Sequence, residues 1–183
     1  MKKICAFFFI FSIFFGACSF DYGTSREGDN AKPDIVMENV EYVRIRGGDP
    51  TMRFRAELAE RFEERQIMSV RNITFEQFEN RGTEINAMGQ AGMGRIELDT
   101  GNVRLSNGVL MEVESEDIII ETSGLQWIDN EKQLYGEGTN EVEIHRSDGT
   151  RFTGRGFSAN IRERTWEFTS GAEGSYVDND DEE

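Results

Sequence analysis

Met52-Arg-Phe-Arg-Ala-Glu-Leu58 alternates without a break between apolar and charged side chains. A period of two puts every second side chain on one face, so this stretch is a strand with one dry and one wet side. Val142-Glu-Ile-His145 and Trp166-Glu-Phe168 repeat the pattern. It is the pattern of antiparallel sheets that cover a core on one side only. The following Ala56 to Gln66 is rich in helix formers, with Leu58 and Phe62 at i, i+4. The alternation enters it without a capping residue, so strand is the assignment there too.

Working outward, strand-like runs cover 35–46, 51–62, 66–78, 83–88, 92–98, 102–105, 109–114, 117–122, 124–128, 132–136, 140–146, 150–154, 156–161 and 164–169. Turn signals separate many of them, among them Gly47-Gly48-Asp49-Pro50, Asn80-Arg81-Gly82, Asn107-Gly108, Asp129-Asn130 and Asp148-Gly149. Many short strands joined by tight turns specify an all-β roll or sandwich. A repeat supports this. Gly92-Met93, Gly124-Leu125 and Gly156-Phe157 recur every 32 residues, as stacked supersecondary units of a few strands would. Met52, Phe54, Leu58, Met93, Leu105, Met111, Val113, Ile119, Leu125, Trp127, Leu134, Ile144, Phe157, Trp166 and Phe168 are expected to share one interior. A compact sandwich would close over them, whereas a curved roll would leave an apolar trough; both fit the pattern.

The amino terminus reads differently. Lys2 and Lys3 precede an apolar run from Ile4 to Phe15, which ends in Gly16-Ala17-Cys18. That is a secretory signal over residues 1–17, too short to span a bilayer, which takes roughly 20 apolar residues. Phe15-Gly16-Ala17-Cys18 looks like a bacterial lipobox with Phe in place of the usual Leu, which implies cleavage before Cys18 and lipid on its thiol. Ser19 to Lys32 is polar and aperiodic, a flexible tether reaching on the order of 20 Å. The domain is expected over 33–177, with a solvated acidic tail at 178–183.

Charge and composition exclude several functions. Without residues 1–17 the chain has 18 basic against 35 acidic residues, a formal charge of −17. Nucleic-acid binding needs a basic footprint, so it is excluded. Cys5 and Cys18 are the only cysteines and His145 the only histidine, which argues against a disulfide framework, a thiol metal site, zinc chemistry or a His-based triad. Acids such as Glu97, Asp99, Glu112, Glu114, Glu137, Glu141 and Glu143 alternate with apolar residues and belong on the wet face. Gly92-Met-Gly94, Gly136-Glu-Gly138 and Gly154-Arg-Gly156 are followed by no helical pattern, so they are bends rather than phosphate loops. Asn72-Ile73-Thr74 matches a glycosylation sequon, to which no role is assigned. No enzyme chemistry and no cofactor are expected.

Pro33-Asp-Ile-Val-Met-Glu-Asn-Val40, Phe54-Arg-Ala-Glu57, Gly101-Asn-Val-Arg-Leu105, Glu121-Thr-Ser-Gly-Leu-Gln-Trp127 and Gly149-Thr-Arg-Phe-Thr-Gly-Arg-Gly-Phe-Ser-Ala159 together resemble the LptC family. That family is a periplasmic component of lipopolysaccharide export within the wider LptA/organic-solvent-tolerance group. The resemblance covers about 33–177. It implies an antiparallel, twisted, open boat-shaped β-jelly-roll that binds acyl chains of lipopolysaccharide or lipooligosaccharide. Candidate groove residues are Phe54, Leu58, Met93, Leu105, Met111, Leu125, Trp127, Leu134, Ile144, Phe157, Trp166 and Phe168. It also implies edge-to-edge docking with a permease subunit of an ABC transporter and with an LptA-like bridge protein. Val40, Val43 and Ile45 would serve one edge, Trp166 and Phe168 the other. Members commonly keep a transmembrane helix where this chain has a lipobox. The family role places the anchor on the periplasmic face of the inner membrane, while Ser19 after the cysteine favours the outer membrane. The other reading is a structural or assembly lipoprotein with a closed β-sandwich that binds only protein. Mass spectrometry of the mature amino terminus should find Cys18 first and lipid-modified; an unmodified Cys18 refutes the anchor.

Overall fold

The structure is a computed structural model that describes residues 32–176. The signal over 1–17, Cys18, nearly all of the tether and the tail at 178–183 lie outside the described residues. Ten strands follow one another: β1 (Ile35–Arg46), β2 (Asp49–Phe62), β3 (Ile67–Glu79), β4 (Glu84–Glu97), β5 (Val103–Val113), β6 (Ile118–Ile128), β7 (Gln133–Gly136), β8 (Glu141–Arg146), β9 (Arg151–Asn160) and β10 (Thr165–Ser175). They form one antiparallel sheet in the order β1-β2-β3-β4-β5-β6-β7-β9-β10. β8 also pairs with both β6 and β9. β7 and β8 are thus two halves of one strand, interrupted at Glu137 to Asn140.

Other strands are marked at the same level. Asn39 of β1, Asn72 of β3 and Asn107 of β5 have positive φ, as do Gly108, Gly138, Gly156 and Gly171. Left-handed backbone costs an L residue energy, and asparagine tolerates it best after glycine. These residues line up across the sheet, because Ala56↔Ile73↔Ala91↔Val109↔Thr122 are partners on one side of the line and Leu58↔Arg71↔Met93↔Ser106↔Gly124 on the other. The line is a crease. Asn72, the residue of the sequon motif, sits on it and donates its side-chain N–H to the Glu57 carboxylate.

The crease changes which residues face inward. In β2 the buried positions run Phe54, Ala56, then Ala59. In β3 they run Val70, then Ile73. Inner positions are spaced by three, not two, where these strands cross. Two inward rows flank the crease. Met37, Ala59, Val70, Gly94, Leu105, Leu125 and Gly136 are successive partners from β1 to β7, and the Phe157–Phe168 pair carries the row onto β9 and β10. Val40, Ala56, Ile73, Ala91, Val109, Thr122, Val142 and Gly154 form the second row. Folding along the crease packs both half-sheets into one core, in which Leu125, Phe157, Val142 and Ile144 are at most 2 % exposed. Each fully buried aliphatic or aromatic side chain contributes about 1.5–3 kcal/mol. Thr122 is the polar member of the rows, and its hydroxyl donates to the Glu141 carbonyl at 2.8 Å, so nothing there is left unpaired.

Several expectations change. The runs 83–88 and 92–98 are one strand, as are 102–105 with 109–114, 117–122 with 124–128, and 150–154 with 156–161. Asn107-Gly108 bends β5 rather than ending it. The 32-residue repeat becomes one hairpin per unit, each strand crossing the crease once. Its first copy is out of step. Met93, not Gly92, pairs with Ser106, which also pairs with Gly124. One residue is one face, so Met93 points outward and is 50 % exposed. Leu58 is likewise outside, half-buried beside Glu57, Arg71 and Asn72. Ile119 is 37 % exposed, and its neighbours Ile118 and Ile120 are the buried ones. The segment 56–62 is strand as expected, and 63–66 is the turn into β3.

Gly94 fills the inward position beside Met93, where an added Cβ would lie 2.7 Å from Val70 Cγ2. Gly94→Val should therefore lower stability by about 1–3 kcal/mol through overpacking. Met93→Ala should stay within about 0.5 kcal/mol of the wild type. Urea midpoints of the two variants check the assignment of faces.

Candidate functional site

The core opens at one end of the fold. The end of β3 at Glu79 and the segment after β5, with Ser115 and Glu116, face the β9–β10 turn, with Ile161 and Arg164, and the strand ends Asn160 and Thr165 that flank it. Between them lies a cleft of about 130 Å³ whose deeper walls are Met111, Ile120, Leu134 and Phe157, with Trp166 at its rim. Strand ends from both halves of the sheet meet here. Trp166 is 36 % exposed and packs edge-on against Phe152 and Phe168, with ring centroids 5.2 and 5.7 Å away. Gly154 makes room for Phe168, since an added Cβ would lie 2.6 Å from that ring. Across the mouth, Arg164 Nε lies 3.8 Å from a Glu116 carboxylate oxygen.

Of the twelve candidate groove residues, Met111, Leu134, Phe157 and Trp166 converge on this cleft. Phe54, Leu105, Leu125 and Ile144 are buried in the core away from it, and Phe168 packs against that core. Leu58 and Met93 are on the outer face, as described above. Trp127 packs on the core from β6 but is tied to the β6–β7 turn. Its indole N–H donates to Asp129 at 3.2 Å, Lys132 donates to the same oxygen at 2.8 Å, and the ammonium lies 5.7 Å from the indole ring centre. The Asp129 backbone N–H donates to the Asn102 side chain at 3.0 Å. Ala87, Val113, Ile118 and Ala159 also line the cleft. Val113 was expected inside; the others were not, since an alanine carries little hydrophobic signal and the Ile118-Ile119-Ile120 run has no period.

Among the described residues both ends of the sheet are open: β1 pairs only with β2 and β10 only with β9. On β1, Ile35, Val36, Tyr42, Val43 and Ile45 are exposed, Ile45 at 65 %, while Val40 is half-buried against the core. On β10, Trp166 is exposed and Phe168 half-buried. Charged pairs stud the outer surface of β1 to β3. Arg55 donates to Glu41 at 2.7 Å and holds that carboxyl below its usual range. His145 lies opposite buried Ile144, with Arg151 donating to its Nδ1 at 3.3 Å. Among the described residues no three His, Cys, Asp or Glu side chains converge to hold a metal.

A family model described as lipopolysaccharide-assembly, LptC-related, matches residues 4–177. No curated protein matches the chain. Among solved structures, LptH from Pseudomonas aeruginosa is similar, with a TM-score of 0.53 at 11 % identity over 69 % of this chain and 95 % of that one. That protein is described as the LptA homologous periplasmic component of the lipopolysaccharide transport device. The likeness is one of fold, and it identifies the creased sheet as an LptA-like β-jelly-roll.

Asp129 gives a pH prediction. Burial raises its carboxyl, but hydrogen bonds from Lys132 and Trp127 and the charges of Lys132 and Arg44 outweigh it, so the net shift is downward from 3.8. A depressed carboxyl stabilises the fold above its unfolded value, and that contribution is lost as pH falls through the folded one. The stability difference between wild type and Asp129→Asn should therefore be constant near neutrality and shrink on acidification below about pH 4, in urea titrations at stepped pH.

Proposed function

The chain belongs to the LptC-related lipopolysaccharide-assembly family, and from that membership we propose that it is a periplasmic, lipid-anchored component of a lipopolysaccharide or lipooligosaccharide export machine. In this reading residues 1–17 are removed, Cys18 carries the lipid, residues up to 32 form the tether, 33–177 form the transfer domain and 178–183 an acidic tail. The anchor holds the domain at the periplasmic face of the inner membrane. One sheet edge receives a like-folded domain of an ABC-transporter permease and the other an LptA-like bridge protein, by β-augmentation.

The observation that carries the reading is a creased sheet with both edge strands unpaired, around a core reached through an apolar cleft. Open edges invite aggregation unless they are covered or used. Joined edge to edge, such sheets would align their cores into one apolar path. Exposing an acyl chain to water costs about 0.8 kcal/mol per methylene, on the order of 10 kcal/mol for a long chain, so a carrier across an aqueous space needs a continuous path of this kind. The driving energy would come from the transporter.

The cleft size favours a second reading. At about 130 Å³ it falls well below the roughly 300–1,000 Å³ of sites that enclose a small ligand. A packed assembly lipoprotein that binds only protein would look like this. The transfer reading requires the two halves of the sheet to part. A photo-crosslinking residue at Met111, in the cleft wall, should give adducts with lipopolysaccharide or lipooligosaccharide in the native envelope, while the same residue at Met93 on the outer face should not. Protein adducts alone at Met111 would sink the transfer reading in favour of the assembly one.

A further inference from the structure

We propose that the Arg164–Glu116 ion pair is a latch that holds the cleft closed; the inference rests on the transfer reading, because a latch matters only if something enters. No strand pairing joins the two lips directly: one leads into β6 and the other follows β9, and β6 and β9 are linked only through β7 and β8 between them. β4 and β5 pair with each other and with β3 and β6, and among the described residues β10 pairs with β9 alone. The lips carry opposite charge. Residues 112–117 include Glu112, Glu114, Glu116 and Asp117 and no cation, while the facing turn has Arg162 and Arg164 against Glu163. Arg164 adopts a left-handed conformation, φ 54°, and reaches Glu116 at 3.8 Å beside the apolar rim formed by Trp166.

The strength of the pair suits a contact that must open. Its side chains are 73 % and 39 % exposed, and pairs of that kind shift an equilibrium by roughly two- to fivefold. Covering such a cleft with backbone pairing instead would tie its opening to melting of the sheet. Salt screens exposed charges over about 10 Å at 0.1 M, so the latch would weaken with ionic strength.

The test measures uptake of the neutral apolar fluorophore N-phenyl-1-naphthylamine by the full chain. Glu116→Gln and Arg164→Gln should each raise apparent affinity two- to fivefold, with urea midpoints confirming that both fold. The doubly swapped Glu116→Arg, Arg164→Glu protein should return to the wild-type value. Raising salt should move the wild type toward the single variants and leave those variants unchanged. Arg61→Gln, which breaks the 3.1 Å pair with Glu63 away from the cleft, should have no effect. Equal uptake by all variants, or the same gain from Arg61→Gln, overturns the latch and leaves the transfer reading standing. No uptake by any protein at any salt overturns both.

Discussion

The constraint on which the rest depends is the crease. A strand of fourteen residues, the length of β2 and β4, runs roughly 45 Å at the usual rise. A flat sheet of such strands, apolar on one face, would leave that face in water. Bending them along one line lets the face cover itself. The bend requires left-handed residues on several strands at one level, and asparagine or glycine supplies them at Asn39, Asn72, Asn107-Gly108, Gly138, Gly156 and Gly171. The interruption between β7 and β8 falls at the same level. The two inward rows follow from this line, since their registers are counted from it in opposite directions.

Fold class was legible because alternation is local. Met52 to Leu58 announces a half-buried strand whatever lies around it. What alternation cannot carry is phase across a crease. Glycine and Asn-Gly look alike in sequence whether they end a strand or bend it, so four long strands read as eight short ones. For the same reason the Met52–Leu58 alternation puts Leu58 in the interior, and the repeat puts Met93 there alongside Leu125 and Phe157. Leu58 and Met93 each lie just past the crease, where parity counted from the other half gives the wrong side. The cleft was partly legible through its large residues, Met111, Leu134, Phe157 and Trp166. Its small ones, Ala87 and Ala159, were not, because their burial follows from which strands meet and not from their own hydrophobicity.

The molecule separates two kinds of surface that share the same backbone. Inside, nearly every contact is apolar and the buried Thr122 is hydrogen-bonded. Outside, Arg53, Arg55, Glu41 and Glu76 form a web of ion pairs over β1 to β3, which contributes little to stability individually but keeps the broad outer face wet. Exposed apolar residues lie on the edge strand β1, at Ile35, Val36, Tyr42, Val43 and Ile45, and also on inner strands, at Ile85, Met93, Leu110 and Ile119.

The crease also makes the sheet mechanically uneven. Interstrand hydrogen bonds run across the strands, parallel to the line, so changing the angle between the two halves need not break any of them. The line is occupied by glycines and asparagines with left-handed backbone, while each half is held by its own ladders. Such a sheet has the geometry of scored card, with one axis about which bending would cross no ladder. A change of angle about that line would alter the space between the halves and leave the register of every strand, including the two at its margins, as it is.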